Sequence, residues 1–193
     1  MTAAVPCKRT RNAEATREAI LRSALIAFSR AGYDDVGLRE IAGEAGVTAM
    51  LVNRYFGSKE ALFGAAVEAA FADGRLFAGD PDDLAARVAS AIMGKTDQPS
   101  SDPDPLMVML RSAANPRTAT ILCERIRRHF EAPLAVLLSG EGTRERSALL
   151  LSVVAGFQLM KTIIGTEALR DGDRNILAAR LEKVFATLIK PQL

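Results

Sequence analysis

Residues Val36–Phe63, VGLREIAGEAGVTAMLVNRYFGSKEALF, constrain this chain more tightly than any other stretch. Leu38–Ala45 places its apolar residues at helical spacing, and Gly46-Val47 interrupts the pattern as a tight turn. Thr48 suits the N-cap of a further short helix, Ala49–Phe56, because its hydroxyl can accept an unpaired N–H of the first turn. Gly57 stops that helix, and Ser58 caps another, roughly Lys59–Ala72, with Leu62, Phe63 and Val67 on its buried face.

The rest of the chain reads as helix too. Gly and Pro punctuate it without alternating β-branched runs, so the fold class is all-α, with about nine helices. Ala13–Ala31 puts Ile20, Leu21, Ala24, Leu25 and Phe28 on one face, and Gly32 ends it. Residues 1–12 are polar and basic and read as a flexible arm. Gly79-Asp80-Pro81 opens a helix near Asp82–Met93, and Lys95–Pro103 is the clearest loop. Helices near Pro105–Ala114 and Arg117–Ser139 follow, the second kinked by Pro133. Glu141–Gly142 leads into a long helix, about Thr143–Gly165, and the last runs Arg174–Ile189 and stops before Pro191. No internal repeat is present. The organisation expected is an arm, 1–12; a three-helix head, 13–58; and a C-terminal helical body, 59–193.

The net charge is only +2, but it is unevenly placed. Residues 1–59 hold nine Lys/Arg against six Asp/Glu, while the remainder hold 16 against 17. A basic end on a neutral body suits a polyanionic partner. Cys7 and Cys123 form no metal-ligand cluster and no expected disulfide; Cys123 reads as a small buried apolar residue. No metal or cofactor is expected. The N-terminus has no apolar core of signal-peptide length, which reads as cytoplasmic. The apolar run Ala148–Gly165 approaches a membrane span, but Ser152, Gln158 and Lys161 interrupt it; a buried helix, not a membrane partner, is expected.

Two short helices across a tight turn are the geometry of a helix-turn-helix, which grips double-stranded DNA by setting its second helix in the major groove. Such a helix needs one packed face, for which Val47, Leu51 or Val52, and Phe56 are available. Its first turn needs small or hydrogen-bonding side chains near base edges, and Thr48, Ala49, Met50 and Asn53 fit. Tyr55, Lys59 and the amides around Ser58 suit phosphates. On spacing alone an ordinary helical hairpin fits equally well. Thr48 could be only a cap, Met50 only packing or an apolar contact to a thymine methyl, and Tyr55 only a buried aromatic. Lys8, Arg9 and Arg11 are either a solvated tail or an arm following the groove.

Gly32-Tyr33, Leu38–Ala42 (LREIA), Ala45–Val47 (AGV) and above all Leu51–Phe63 (LVNRYFGSKEALF) decide between these readings. Over about Arg17 to Phe63 the chain resembles the TetR (tetracycline-repressor) family of transcription regulators. The resemblance implies that Arg39 can reach a base or phosphate. It implies that Thr48, Ala49, Met50, Leu51 and Asn53 face the major groove, and that Tyr55 and Lys59 hold phosphates. One departure stands out: Val36-Gly37 occupies the place where the family has a capping Thr or Ser that touches phosphate.

A two-fold regulator reads half-sites about 34 Å apart, so a homodimer is expected. The helix of Ala148–Ile164 is apolar around nearly its whole circumference, and the last helix adds Ile176 and Leu177. Leu150, Val154, Leu181, Val184, Phe185 and Leu188 are the expected interface, consistent with the family's four-helix dimer bundle. The resemblance also implies a small-molecule effector, unidentified, bound in the body and releasing the operator. Met107, Phe130, Phe157 and Met160, with Met93 and Met109, suit an adaptable apolar pocket or plain core. His129 with Arg125, Arg127 and Arg128 is a solvated face or an anion site. The competing functions are a helical dimer that binds protein through its N-terminal hairpin, and an all-α enzyme, which the single His and lack of a nucleophile–base pairing disfavour.

Overall fold

The computed structural model describes residues 8–71, 80–94 and 104–190, with side chains from Ala13 onward. Every regular element among them is helical. In order these are α1 Lys8–Ala31, α2 Leu38–Glu44, α3 Ala49–Phe56, α4 Lys59–Phe71, α5 Leu84–Gly94, α6 Pro105–Ser112, α7 Pro116–Ile126, α8 Ala132–Leu137, α9 Thr143–Gln158, α10 Glu167–Arg170 and α11 Arg174–Ile189. The loop expected at Lys95–Pro103 and residue Cys7 lie outside the described residues.

Helix α1 begins at Lys8, before the expected Ala13. Lys8, Arg9 and Arg11 therefore belong to its first turns and not to a flexible arm. Nothing in the sequence there breaks a helix, and lengthening an existing helix avoids the nucleation cost.

The chain divides into two compact units. The first holds α1, α2, α3, α4 as far as Ala70, and also α6 with α7 as far as Leu122. The second holds Phe71, α5, the end of α7, and α8 through α11. A head ending at residue 58 therefore differs from the physical division, because α4 supplies core to the first unit. Phe63 of α4 meets Phe28 of α1 edge-to-face at 5.2 Å and Tyr33 at 5.4 Å, and Phe28 stacks on Tyr33 at 6.0 Å. Ile20, Ala24, Ala27, Phe28, Leu62 and Phe63 are fully buried.

Helix α6 lies against α1, with Met107 and Val108 buried. Just after α1, the chain also comes close to α6 at Gly32, whose φ is +81°. A Cβ there would stand 2.6 Å from the Arg111 carbonyl oxygen. Glycine is needed twice over, for the left-handed backbone and for the space.

The second unit buries Leu84, Val88 and Ile92 of α5 with Leu134, Leu138, Leu150, Leu181 and Phe185. Polar side chains tie off helix ends that would otherwise leave carbonyls unpaired. Gln158 Nε2 donates to the Ile92 carbonyl at 3.1 Å, and Arg174 donates to that of Met93. Arg146 donates to the Ile189 carbonyl at 3.1 Å and to that of Ser139. A cation at the end of α11 also matches the helix dipole.

Two π-helical turns interrupt the long helices. Arg127–Glu131 joins α7 to α8, and Leu159–Ile163 continues α9. The kink expected at Pro133 takes the form of the first of these. Pro133 lacks an N–H and crowds the carbonyl four residues back, and the wider turn just before it relieves both problems. The short α10 was not expected.

Gly32→Ala should lower unfolding free energy by about 1–3 kcal/mol, since strain and overlap add at one position. Urea titration measures it; a loss below about 0.5 kcal/mol would show that α6 is not held against α1.

Candidate nucleic-acid interface

The turn between α2 and α3 is closed by its own backbone. Gly46 N–H donates to Gly43 at 3.1 Å, and Val47 N–H to Ala42 at 2.9 Å. Gly46 has φ +67°, which bends the chain back without a Cβ clash. Thr48 Oγ1 accepts from the Leu51 N–H at 3.3 Å, so its capping role is real. Ser58 caps α4 in the same way, accepting from Ala61 N–H at 3.1 Å.

Of the candidates for the packed face of α3, Val52 is the buried one; Val47, Leu51 and Phe56 are half-buried. Met50 stands about 200° round the helix from Val52 and is 81% exposed. Thr48, Asn53 and Arg54 are exposed as well, and Ala49 is half-buried. Of the residues expected to read bases, Thr48, Met50 and Asn53 are thus open, while Ala49 and Leu51 are partly covered. Arg39 is exposed on α2. Tyr55 is half-buried and tilted against Phe56, while Arg17 of α1 lays its guanidinium 5.3 Å from the Phe56 ring centroid. That contact fastens the end of α3 to α1.

Lys59 is less free than its sequence suggests. Its Nζ sits 4.3 Å from the Tyr33 ring centroid and donates to the Asp34 carbonyl at 3.4 Å. The Tyr33 hydroxyl donates to the Glu60 carboxylate, and Arg117 pairs with Glu60 at 3.1 Å. Burial, followed by the Glu60 hydrogen bond and charge, pushes the Tyr33 phenol up to about 12 from 10.0. Glu60 is held below the usual carboxylate range, first by its backbone hydrogen bond and then by Tyr33. Arg30 bridges to Glu40 and Glu44, joining α1 to α2.

Sequence reasoning missed Arg17, Arg30, Tyr33, Asp34, Asn115 and Arg117. Asn115 stands just before the helix expected near Arg117, and nothing local tells what its side chain binds.

Two family descriptions match this chain. Bacterial regulatory proteins of the tetR family match residues 20–66, and the tetracyclin repressor-like C-terminal domain matches residues 82–189. The chain belongs to the TetR family. No curated protein sequence matches it.

Solved TetR-family structures share the fold. A TetR-family regulator from Streptomyces coelicolor A3 is 24% identical with TM-score 0.56, covering 97% of this chain and 99% of its own. A transcriptional regulator from Saccharomonospora viridis, solved in complex with choline, is 19% identical with TM-score 0.65, covering 91% and 98%. NalD, the secondary repressor of a multidrug efflux pump in Pseudomonas aeruginosa, is 21% identical with TM-score 0.58, covering 94% and 100%.

The departure from the TetR pattern at Gly37 is visible in the geometry. Gly37 is the N-cap of α2 with φ −96° and ψ 148°, and no side chain caps the helix. Only its carbonyl takes part, accepting from Ile41 N–H at 3.2 Å.

Of the TetR-like residues expected to line a pocket, Met107 falls in the first unit and Phe130, Phe157 and Met160 in the second. Met107 is buried in the first unit. Phe130 and Phe157 pack on the second unit's core, Phe130 edge-to-face on Phe71 at 4.7 Å. Met160 is 42% exposed.

Of the six expected dimer residues, Val184 is exposed at 44%, while the other five turn towards the chain's own core. Leu150, Leu181 and Phe185 are buried within the chain's own core, and Val154 and Leu188 pack against it. The outward apolar side chains on these helices are Leu149, Ile176 and Val184. Leu149 and Leu150 differ by one residue, about 100° of helix, which periodicity could not resolve in an all-round apolar segment. Cys123 is exposed, not buried, and among the described residues no group could hold a metal.

Tyr33 gives a pH signature. Its folded phenol titrates at about 12, above the ordinary 10.0 of an unfolded chain. The unfolded chain thus sheds this proton first, and stability falls as pH rises from about 10 towards 12. In a Tyr55→Phe protein, phenolate absorbance should rise only near the upper value; a midpoint at the ordinary value would refute the buried, Glu60-bonded phenol.

Proposed function

We propose that this chain is a cytoplasmic, dimeric repressor that binds a near-palindromic operator and leaves it when a small molecule binds its second unit. The observation that carries the reading is the open face of α3. Met50 is 81% exposed and shares that side with Asn53, while Val52 buries the opposite side. An open apolar side chain beside an amide suits the major groove, where a thymine methyl and base-edge hydrogen-bonding groups lie side by side. Arg39, Thr48, Ala49, Leu51 and Asn53 complete the groove-facing set, with Tyr55 and Lys59 for phosphates.

Dimerisation is supported by α9. Thr143–Ile163 is apolar and long enough to cross a membrane by length and composition, yet only 22% of that window is buried within the chain. Its inward side carries buried Ser147, Gln158 and Lys161, which suits a protein interior better than lipid. A second copy meeting Leu149, Ile176 and Val184 covers the remainder as a helical bundle.

Effector release rests on the family and on the choline-bound relative. Phe130, which packs on Phe71, and Phe157, half-buried against the second unit's core, are the residues we retain for that site. The tetR-family match over residues 20–66 favours DNA binding over the alternatives, a protein-binding hairpin or an all-α enzyme.

The test of DNA binding is a titration against a duplex enriched by the protein from a random pool, at two salt concentrations. Binding should weaken as salt rises, and Lys59→Ala should lower affinity for all sequences and reduce the salt slope by about one. Asn53→Ala should instead relax sequence preference. A protein that retains no duplex at low salt would end this reading.

Sedimentation separates the interface from the core. Leu149→Asp combined with Val184→Asp should give folded monomers. A variant that stays dimeric would move the interface elsewhere.

A further inference from the structure

The contacts between the α6–α7 turn and the DNA-binding helices have no place in the helix-turn-helix reading. Four of them cross from residues 111–117 to residues 30–60. Arg111 donates to the Arg30 carbonyl at 2.9 Å, and Gly32 admits the Arg111 carbonyl where any side chain would clash. Asn115 Nδ2 donates to the Asp34 carboxylate at 2.6 Å, and Arg117 pairs with Glu60 at 3.1 Å. The turn itself is stiff. Thr118 and Ser112 are buried, and Thr118 Oγ1 donates to the carbonyls of both Ser112 and Asn115. Asn115 Oδ1 accepts from Arg117 N–H at 2.9 Å and caps α7.

These contacts converge on the seat of one side chain. Asp34 offers its carboxylate to Asn115 and its carbonyl to Lys59 Nζ. Tyr33 offers its ring to Lys59 and its hydroxyl to Glu60, which Arg117 holds from the other side. The Arg117–Glu60 pair is largely exposed, with Arg117 at 77%, so it contributes little alone. The short bond from half-buried Asn115 to a charged acceptor is the stronger restraint.

We propose that Asn115 is a positioning residue for DNA binding: it fixes Asp34 and thereby the place from which Lys59 addresses a phosphate. The proposal rests on the DNA-binding reading above. It assigns a segment far along the chain to the machinery that grips the operator. Asn115 itself touches no DNA.

The test uses the full chain, a duplex enriched from a random pool, and two kinds of variant that preserve net charge. Asn115→Ser keeps a capping oxygen for α7 but cannot reach Asp34. Asp34→Asn combined with Asn115→Asp reverses donor and acceptor across the same gap. The single variant should bind about tenfold more weakly, and the reversed pair should bind within about twofold of the unaltered protein. In a Lys59→Ala background the loss from Asn115→Ser should shrink to about twofold or less. Its effect on the thermal midpoint should be the same in both backgrounds.

That last comparison separates positioning from a general loss of stability. Asn115→Ser binding at full strength, a reversed pair that stays weak, or an undiminished loss without Lys59 each overturns the proposal. If the unaltered protein itself retains no duplex, the DNA-binding reading fails and this inference falls with it.

Discussion

The contact on which the head depends is the packing of three rings, Phe28, Tyr33 and Phe63, one each from α1, the turn after it, and α4. Aromatic pairs at these separations favour edge-to-face and offset geometries, so they fix angles as well as distances. The same rings organise the charged groups. Tyr33 turns its hydroxyl towards Glu60 and one face towards Lys59. Lys59 and Glu60 open α4, and Phe63 on the same helix is locked into the core. The register of α4 in the core therefore dictates where its first-turn charges stand. Hydrophobic packing and the placement of the Lys59 cation are one arrangement here.

Helix α3 illustrates what such a frame must supply. At eight residues it is too short to persist alone in water. Thr48 caps its start, Gly57 ends it, Val52 roots it, and Arg17 fastens Phe56. Each restraint comes from the concealed side or the ends, which leaves Met50 and Asn53 unencumbered. A reading surface needs this combination of open side chains on an immobile backbone.

What could be read from the sequence follows from the range of each interaction. Gly46, Thr48, Gly57 and Ser58 act within one turn of the chain, and the helices they delimit were expected. The bounds Arg174–Ile189 were legible for the same reason: Asp173 caps the first turn, accepting from Asn175 and Ile176, and Pro191 follows the end. The orientation of α9 and α11 was not legible. Both are apolar on several sides, so no moment distinguishes Leu150 and Phe185, which face inward, from Leu149 and Val184, which do not. Pro133 announces a disturbance, but whether it becomes a break or a π turn depends on tertiary packing. Asn115 and Arg117 are the extreme case. Their partners, Asp34 and Glu60, lie far back in the chain, and no local rule connects them.

That distance alters how the family's two-part description applies to this molecule. By sequence, residues 104–122 fall within the tetracyclin repressor-like C-terminal region, which spans 82–189. By packing, they belong to the same body as the helix-turn-helix. Residues 20–66 alone would leave bare the side of α1 that α6 covers, and would strip Asp34 and Glu60 of the groups that hold them. The DNA-binding head is thus walled by a segment that sequence comparison assigns to the other half.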